Sequence, residues 1–290
     1  MYTSGSTTGA TFSASRATEL ATSTEADQIS ARSFLIRGLL AGLIAGIFAF
    51  GVAYAVGEPS VNAAIGIEEA GSHDHGTAGE PAADDHATED HATEVPRSLQ
   101  STVGLLTGTV VAGVTLGGLV GMLSALALGR FGGLGARGST MTVAAIGFVS
   151  VYLVPFLGYP PNPPAVGHAE TIGLRTTLYF TLLAISVIAA VTAVLVGRRL
   201  AERWGAWYAG LVVVLGYLVV VAVAIGLMPS YDEVPSDFPA GVLYAFRSAS
   251  LATQLTLWGV LGVVLAELVH RLTRRALPSG AAETSARSSV

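Results

Sequence analysis

Residues 34–56 read FLIRGLLAGLIAGIFAFGVAYAV. Arg37 is the one charge in the run, and its length matches the roughly 20 apolar residues a helix needs to cross a bilayer. The run is longer than the ~7–15-residue apolar core of a secretory signal, and a long polar stretch precedes it. It therefore reads as a retained span rather than a leader cleaved after Ala53-Tyr54-Ala55. Five further runs follow the same pattern, over 103–128, 141–158, 177–196, 206–228 and 244–269. The expected fold is all-α: a polytopic integral membrane bundle of six transmembrane helices arranged as three hairpins. Loss of the first run by cleavage would leave five.

Composition agrees. The 290 residues are 51% hydrophobic and 12% charged, against about 25% charged in an average soluble domain. Mean hydropathy is +0.61. All 15 basic residues are Arg. Without Lys there is no P-loop ATPase and no Schiff-base chemistry. Without Cys there are no disulfides, thiolate metal sites or Cys nucleophiles. No GxSxG, no HExxH and no paired Asp within a span is present, so no enzymatic constellation is expected. The expected partner is a lipid bilayer, not a nucleic acid.

Charge sets the orientation. The N-terminal tail (1–31), the turns after the second and fourth spans and the C-terminal tail (273–290) read as polar, the tails as disordered. With the helix ends beside them they hold twelve Arg; the other three loops hold Arg97, Arg175 and Arg247. The positive-inside rule then puts both termini in the cytoplasm of a multi-pass cell-membrane protein. Fourteen of the twenty acids fall on the opposite side, ten of them between Glu58 and Glu94. That outer face would concentrate cations. Each odd-numbered span leaves the membrane through Gly then Pro, at Pro59, Pro160 and Pro229, where a helix is expected to stop. Gly38, Gly42 and Gly46 stand four apart on the first span. Gly104 and Gly108, then Gly113, Gly117 and Gly121, do so on the second. Such spacing lets backbones approach closely in lipid, so these two spans should pack together, within one chain or across a homo-oligomer.

The outer loop 57–100 carries the most distinctive chemistry. GSHDHGTAGEPAADDHATEDHATE (71–94) contains four of the six histidines and the tandem repeat DHATE-DHATE at 85–94. Imidazole and carboxylate at short spacing suit borderline divalent ions. The candidate ligands are His73, Asp74, His75, Asp85, His86, Asp90 and His91. A segment with no large apolar residues closes around an ion only at an entropic cost, which points to weak, exchangeable capture by the neutral imidazole. Glu58, Asn62, Glu68 and Glu69 follow the first span and offer oxygen donors, with Glu58 and Asn62 on one helical face. His168 lies in the Pro-stiffened loop YPPNPPAVGHAETIGLRT (159–176) as a further candidate ligand. Arg247, Ser250 and Gln254 form a polar stripe on the last span, of the kind that faces a bundle interior. Arg175 and Arg247 are expected to pair with outer acids such as Asp237 or Glu58, as gate or strut.

The order of these features resembles the CbtA-type cobalt transporter subunits. The likeness rests on the Gly-rich Arg-flanked first helix, Glu58-Pro59, the His/acid loop, YPPNPPAVG and the final FRSASLATQLTLWGVLG, over about 33–272. It implies import of cobalt together with a small single-span, His-containing CbtB-like partner. It also implies five spans, the number often given for that family. Co²⁺ as the transported ion comes from the resemblance; the donor set alone equally suits Ni²⁺ or Zn²⁺, and no cofactor is expected. The expected function is a membrane permease subunit for uptake of a divalent transition metal. The alternative is a non-transporting metal-binding or scaffold subunit that delivers metal to a partner pore.

Overall fold

A computed structural model describes residues 30–74, 96–164, 166–167 and 169–276. The two tails and the stretch from His75 to Glu94 lie outside these residues. So does His168. Every regular element among the described residues is helical. They are α1 (Ala31–Val52), α2 (Glu58–Asp74), α3 (Arg97–Leu99), α4 (Leu105–Ala127), α5 (Ala136–Gly147), α6 (Val154–Gly158), α7 (Ile172–Leu227) and α8 (Ala240–Ala276). Among the described residues, five helices are long and apolar enough to cross a membrane: Ala31–Ala70, Arg97–Ala127, Ala136–Gly158, Ile172–Leu227 and Ala240–Arg274.

The first helix does not stop at Pro59, as the Gly-Pro reading expected. A π-helical turn, Ala53–Gly57, carries it into α2 and onward to Asp74. Proline lacks an N–H and its ring crowds the carbonyl four residues back. For Pro59 that carbonyl belongs to Ala55, inside the π-turn. The wider turn absorbs the clash and the helix continues. Pro155 does the same in the third span: its crowded carbonyl is that of Val151, within the π-segment Phe148–Leu153. The helices before Pro160 and Pro229 do end, at Gly158 and Leu227.

The α1–α4 contact is made of glycine. A Cβ on Gly38, Gly42 or Gly46 would strike the backbone carbonyls of Gly117, Gly113 or Thr109, the last at 2.7 Å. Gly113, Gly117 and Gly121 meet α1 in the same way, and the pairing runs antiparallel. The contact is within one chain. Gly108 has open space where a Cβ would sit, and Gly104 has only an ordinary contact, so that half of the second-span pattern is not used for packing. α8 and α5 complete the core with Phe34, Ala41, Ala45, Leu257, Trp258, Leu261, Leu265 and Val269. On the termini side, Arg137 Nε and Nη2 donate to Glu267 at 3.0 and 2.6 Å, and Arg271 Nε donates to it at 2.8 Å. This ties the start of α5 to the end of α8.

α7 consists of two helical arms joined at a kink. Gly205 sits at φ 78°, ψ 159°, and the chain reverses there. The hydroxyls of Ser186 and Tyr217 lie 2.8 Å apart, a contact that a straight helix rising 1.5 Å per residue could not make. Leu178, Leu182 and Val221 bury against Val154 and Tyr159. Away from the charged turn at Arg198–Arg203, much of the α7 surface is exposed and apolar, with Trp207 at 80% and Leu227 at 81%, as lipid contact requires.

Replacing Gly42 or Gly117 by Ala is expected to destabilise by about 1–3 kcal/mol, the usual range for an overpacked contact. Gly108→Ala should be neutral or stabilising by up to ~1 kcal/mol, from helix propensity alone. Thermal unfolding of the purified chain in detergent micelles checks both. Equal responses at the three positions would contradict the packing.

Candidate functional site

The end of the bundle remote from the termini is built by two loops, 159–171 and 228–239, and by α2. Tyr159 donates its hydroxyl to the Pro229 carbonyl at 2.8 Å. Its ring stacks on Tyr231, with centroids 5.4 Å apart and planes 5° from parallel. Burial holds both phenols above their ordinary range, at Tyr231 against the opposing pull of Arg175. Both are therefore protonated at neutral pH. Ala64 of α2 buries with Val166 and Phe238, so α2 caps the two loops. The repeat arm departs from the end of this helix: the backbone of His73 and Asp74 forms its last residues.

Arg97, Arg175 and Arg247 each fasten two parts of this end together. Arg97 donates to Glu58 at 2.6 Å and to the Asn62 side-chain carbonyl at 3.2 Å. Glu58 and Asn62 do share a face, as their spacing implies. The group that meets them is a guanidinium closing the two roots of the arm, not an open cation site. Glu68 and Glu69 are exposed further along α2. Arg247 donates to the Pro161 carbonyl at 3.3 Å and to the Asn162 side-chain oxygen at 2.9 Å. Arg175 pairs at 3.3 Å with Glu233, whose side chain is 6% exposed. The expected partners Asp237 and Glu58 serve neither Arg175 nor Arg247 in these bonds. Gly167 lies at φ 118°, and a Cβ there would collide with the Arg175 guanidinium, so glycine is required on both counts.

Between the loops, the third span and the first arm of α7 is a cavity of about 440 Å³, within the size range of small-ligand sites. Four tyrosines line it, Tyr152, Tyr159, Tyr179 and Tyr231, together with Asn162, Arg175 and Ser250. No Asp, Glu or His is among the described lining residues. At its inner end the hydroxyls of Tyr152 and Ser250 meet at 3.0 Å. Gln254 lies one turn deeper on α8, half-buried and not part of the lining. Of the polar stripe, Ser250 therefore reaches the cavity directly, and Arg247 braces its rim.

Among the described residues no three His, Cys, Asp or Glu come together as a metal-binding group. The candidate ligands His75, Asp85, His86, Asp90, His91 and His168 lie outside the described residues, and the side chains of His73 and Asp74 are likewise not described. Sequence reading missed Arg97, Glu233 and the tyrosine walls. Only the prolines flanking Tyr159 marked that loop as rigid.

A family model described as "Probable cobalt transporter subunit (CbtA)" matches residues 31–270 of the chain. No curated protein and no solved structure matches it.

Arg175→Met leaves the buried Glu233 carboxylate without its guanidinium and should destabilise by about 3–5 kcal/mol, the range for breaking a buried pair from one side. The double variant Arg175→Met/Glu233→Gln should recover part of that loss. Unfolding midpoints in detergent measure the coupling; strict additivity would show that the pair does not brace the cavity wall.

Proposed function

Since the chain belongs to the CbtA family, we propose that it is the membrane-embedded subunit through which a divalent transition metal, cobalt, enters the cell. The observation that carries this reading is the position of the cavity. Val166 belongs both to its lining and to the cluster beneath α2, so the root of the His/acid arm stands at the cavity's rim. Ions gathered by the arm would be released beside a water-accessible hollow whose far end is the polar stripe of α8.

The two steps divide the chemistry. The arm (His73, Asp74, His75, Asp85, His86, Asp90, His91) supplies imidazole and carboxylate and does the selecting. The described side chains lining the cavity offer phenol, amide and hydroxyl oxygens, so the ion passes through it still largely hydrated. Glu68, Glu69 and His168 are secondary acceptors on the way. Arg97 must release Glu58 and Asn62 before they can act as ligands. α7 folds back at Gly205, so we take it to cross the membrane twice, giving six crossings in three hairpins. The twelve-to-three distribution of Arg then keeps both termini cytoplasmic. The subunit designation of the family implies an assembly. A small single-span, His-containing CbtB-like partner and a second copy of the chain are the proposed members.

No nucleotide is required. A doubly charged ion moving down 100 mV, inside negative, gains roughly 4.6 kcal/mol, enough for about a thousandfold accumulation. The second reading, a subunit that passes metal to a partner pore, is favoured by one fact: below Gln254 the bundle is closed, with Leu261 and Leu265 at 0% exposure.

Cells expressing the chain should accumulate cobalt, and lose that accumulation when an uncoupler removes the membrane potential. Deleting 71–94 should lower uptake at low external cobalt and matter less at high concentration. Uptake indifferent to the potential would refute an electrically driven carrier. Flux absent from vesicles holding only this chain, but restored by a partner, would favour delivery to a pore.

A further inference from the structure

The face of α8 that points into the bundle changes character along its length. Arg247, Ser250 and Gln254 repeat at three and four residues, and Trp258, Leu261 and Leu265 continue the same row. The first three are half-buried. Trp258 is 5% exposed, and Leu261 and Leu265 are fully buried. Access along one interior face therefore ends between Gln254 and Trp258. The Trp258 ring is seated on Gly147, where a Cβ would come within 2.5 Å of it, and lies edge-on to Phe148. On the other side of Gln254 stands the Tyr152–Ser250 hydrogen bond at the cavity's inner end. Gln254 itself has no hydrogen-bond partner among the described residues.

Resting on the transport reading above, we propose that Gln254 sits in a compartment between two gates, the Tyr152–Ser250 bond toward the cavity and the Trp258 ring toward the termini. Both gates touch one movable part. Tyr152 is in the π-segment Phe148–Leu153, and Gly147 and Phe148 adjoin or begin it. A π-turn holds one residue more than the α-turn it replaces. Passing that extra residue along the helix rotates the side chains it passes by about 100°, the angle per residue of a helix with 3.6 residues per turn. Such a shift would withdraw Tyr152 from Ser250, or Phe148 from Trp258. The gates would then open in turn rather than together. Gln254 contributes an amide oxygen to an ion that has shed part of its water, a ligand weak enough to let it leave.

The absence of Cys makes the test direct, because one introduced thiol is the only thiol in the chain. The full chain is purified in detergent micelles, where both ends meet water, and treated with a charged methanethiosulfonate reagent. Gln254→Cys should react slowly. Adding Tyr152→Phe or Ser250→Ala should speed it about three- to tenfold, the factor expected for one lost hydrogen bond. Leu261→Cys should resist the reagent until Trp258→Ala is added. Equal rates at position 254 with and without the Tyr152–Ser250 bond would overturn the outer gate. Reaction of Leu261→Cys with Trp258 in place would overturn the inner one. If Tyr152→Phe also exposed position 261, it would have loosened the whole bundle and the gate assignment would fall. Cobalt flux into vesicles, measured alongside, separates the two readings. The expected labelling without flux removes transport and leaves the gates; flux with no change in labelling does the reverse.

Discussion

Everything on the arm side hangs from the direct backbone contact between α1 and α4. In lipid, helices gain little from burying apolar side chains, since the alternative surroundings are equally apolar. Close approach is what is left, and only residues without a Cβ allow it. Gly38, Gly42 and Gly46 against Gly113, Gly117 and Gly121 bring the two backbones into contact along three turns. α1 is thereby fixed against one neighbour and offers Phe34, Ala41 and Ala45 to α8. The continuation of α1 through its π-turn gives α2 a rigid base. The segment that follows α2 therefore starts from the end of a packed helix.

Pro59 and Pro155 shape the same region without ending the helices they stand in. Pro59 and Pro155 each lie four residues beyond a carbonyl inside a π-turn, so the chain keeps its hydrogen bonds by widening one turn. The consequences differ. At Pro59 the axis is carried beyond the core, and α2 comes to rest on the loops. At Pro155 the widened turn places Tyr152 against Ser250 at the floor of the cavity. Helix continuity and side-chain aim are thus set by the same local substitution for a missing N–H.

The apolar runs made the all-helical, membrane-embedded architecture legible, because a stretch such as 34–56 has no other stable environment. The glycine spacing foretold which helices would touch, although Gly104 and Gly108 show that the pattern alone does not say which of two registers is used. The prolines misled at Pro59: its effect depends on whether the preceding turn can widen, which nearest-neighbour rules do not contain. The site was legible only in part. Ser250, Arg175 and Arg247 were marked by being polar in an apolar setting. The tyrosines were not, since an aromatic residue near a membrane surface is ordinary. Arg97 was read as one of a minority of outer charges, but its bond to Glu58 crosses a separation of 39 residues, beyond anything local spacing can reveal.

Arg97, Arg175 and Arg247 brace the end of the bundle that holds a cavity with no acid among its described lining residues. Each is bonded to a partner: Glu58 and Asn62 for Arg97, Glu233 for Arg175, Asn162 and the Pro161 carbonyl for Arg247. Each holds two segments together; the charges of Arg97 and Arg175 are paired with carboxylates, whereas Arg247 keeps its positive charge at the rim. Ten of the twenty acids lie between Glu58 and Glu94 in the sequence, so on the function proposed above long-range attraction for cations would be concentrated there and not at the cavity. That separation has a physical reason. A ligand set strong enough to pick one transition metal from its neighbours would also hold that metal, and a conduit must release what it binds. On the function proposed above, chelation by the arm and passage past neutral oxygens would meet both demands, which a single carboxylate-lined site would set against each other.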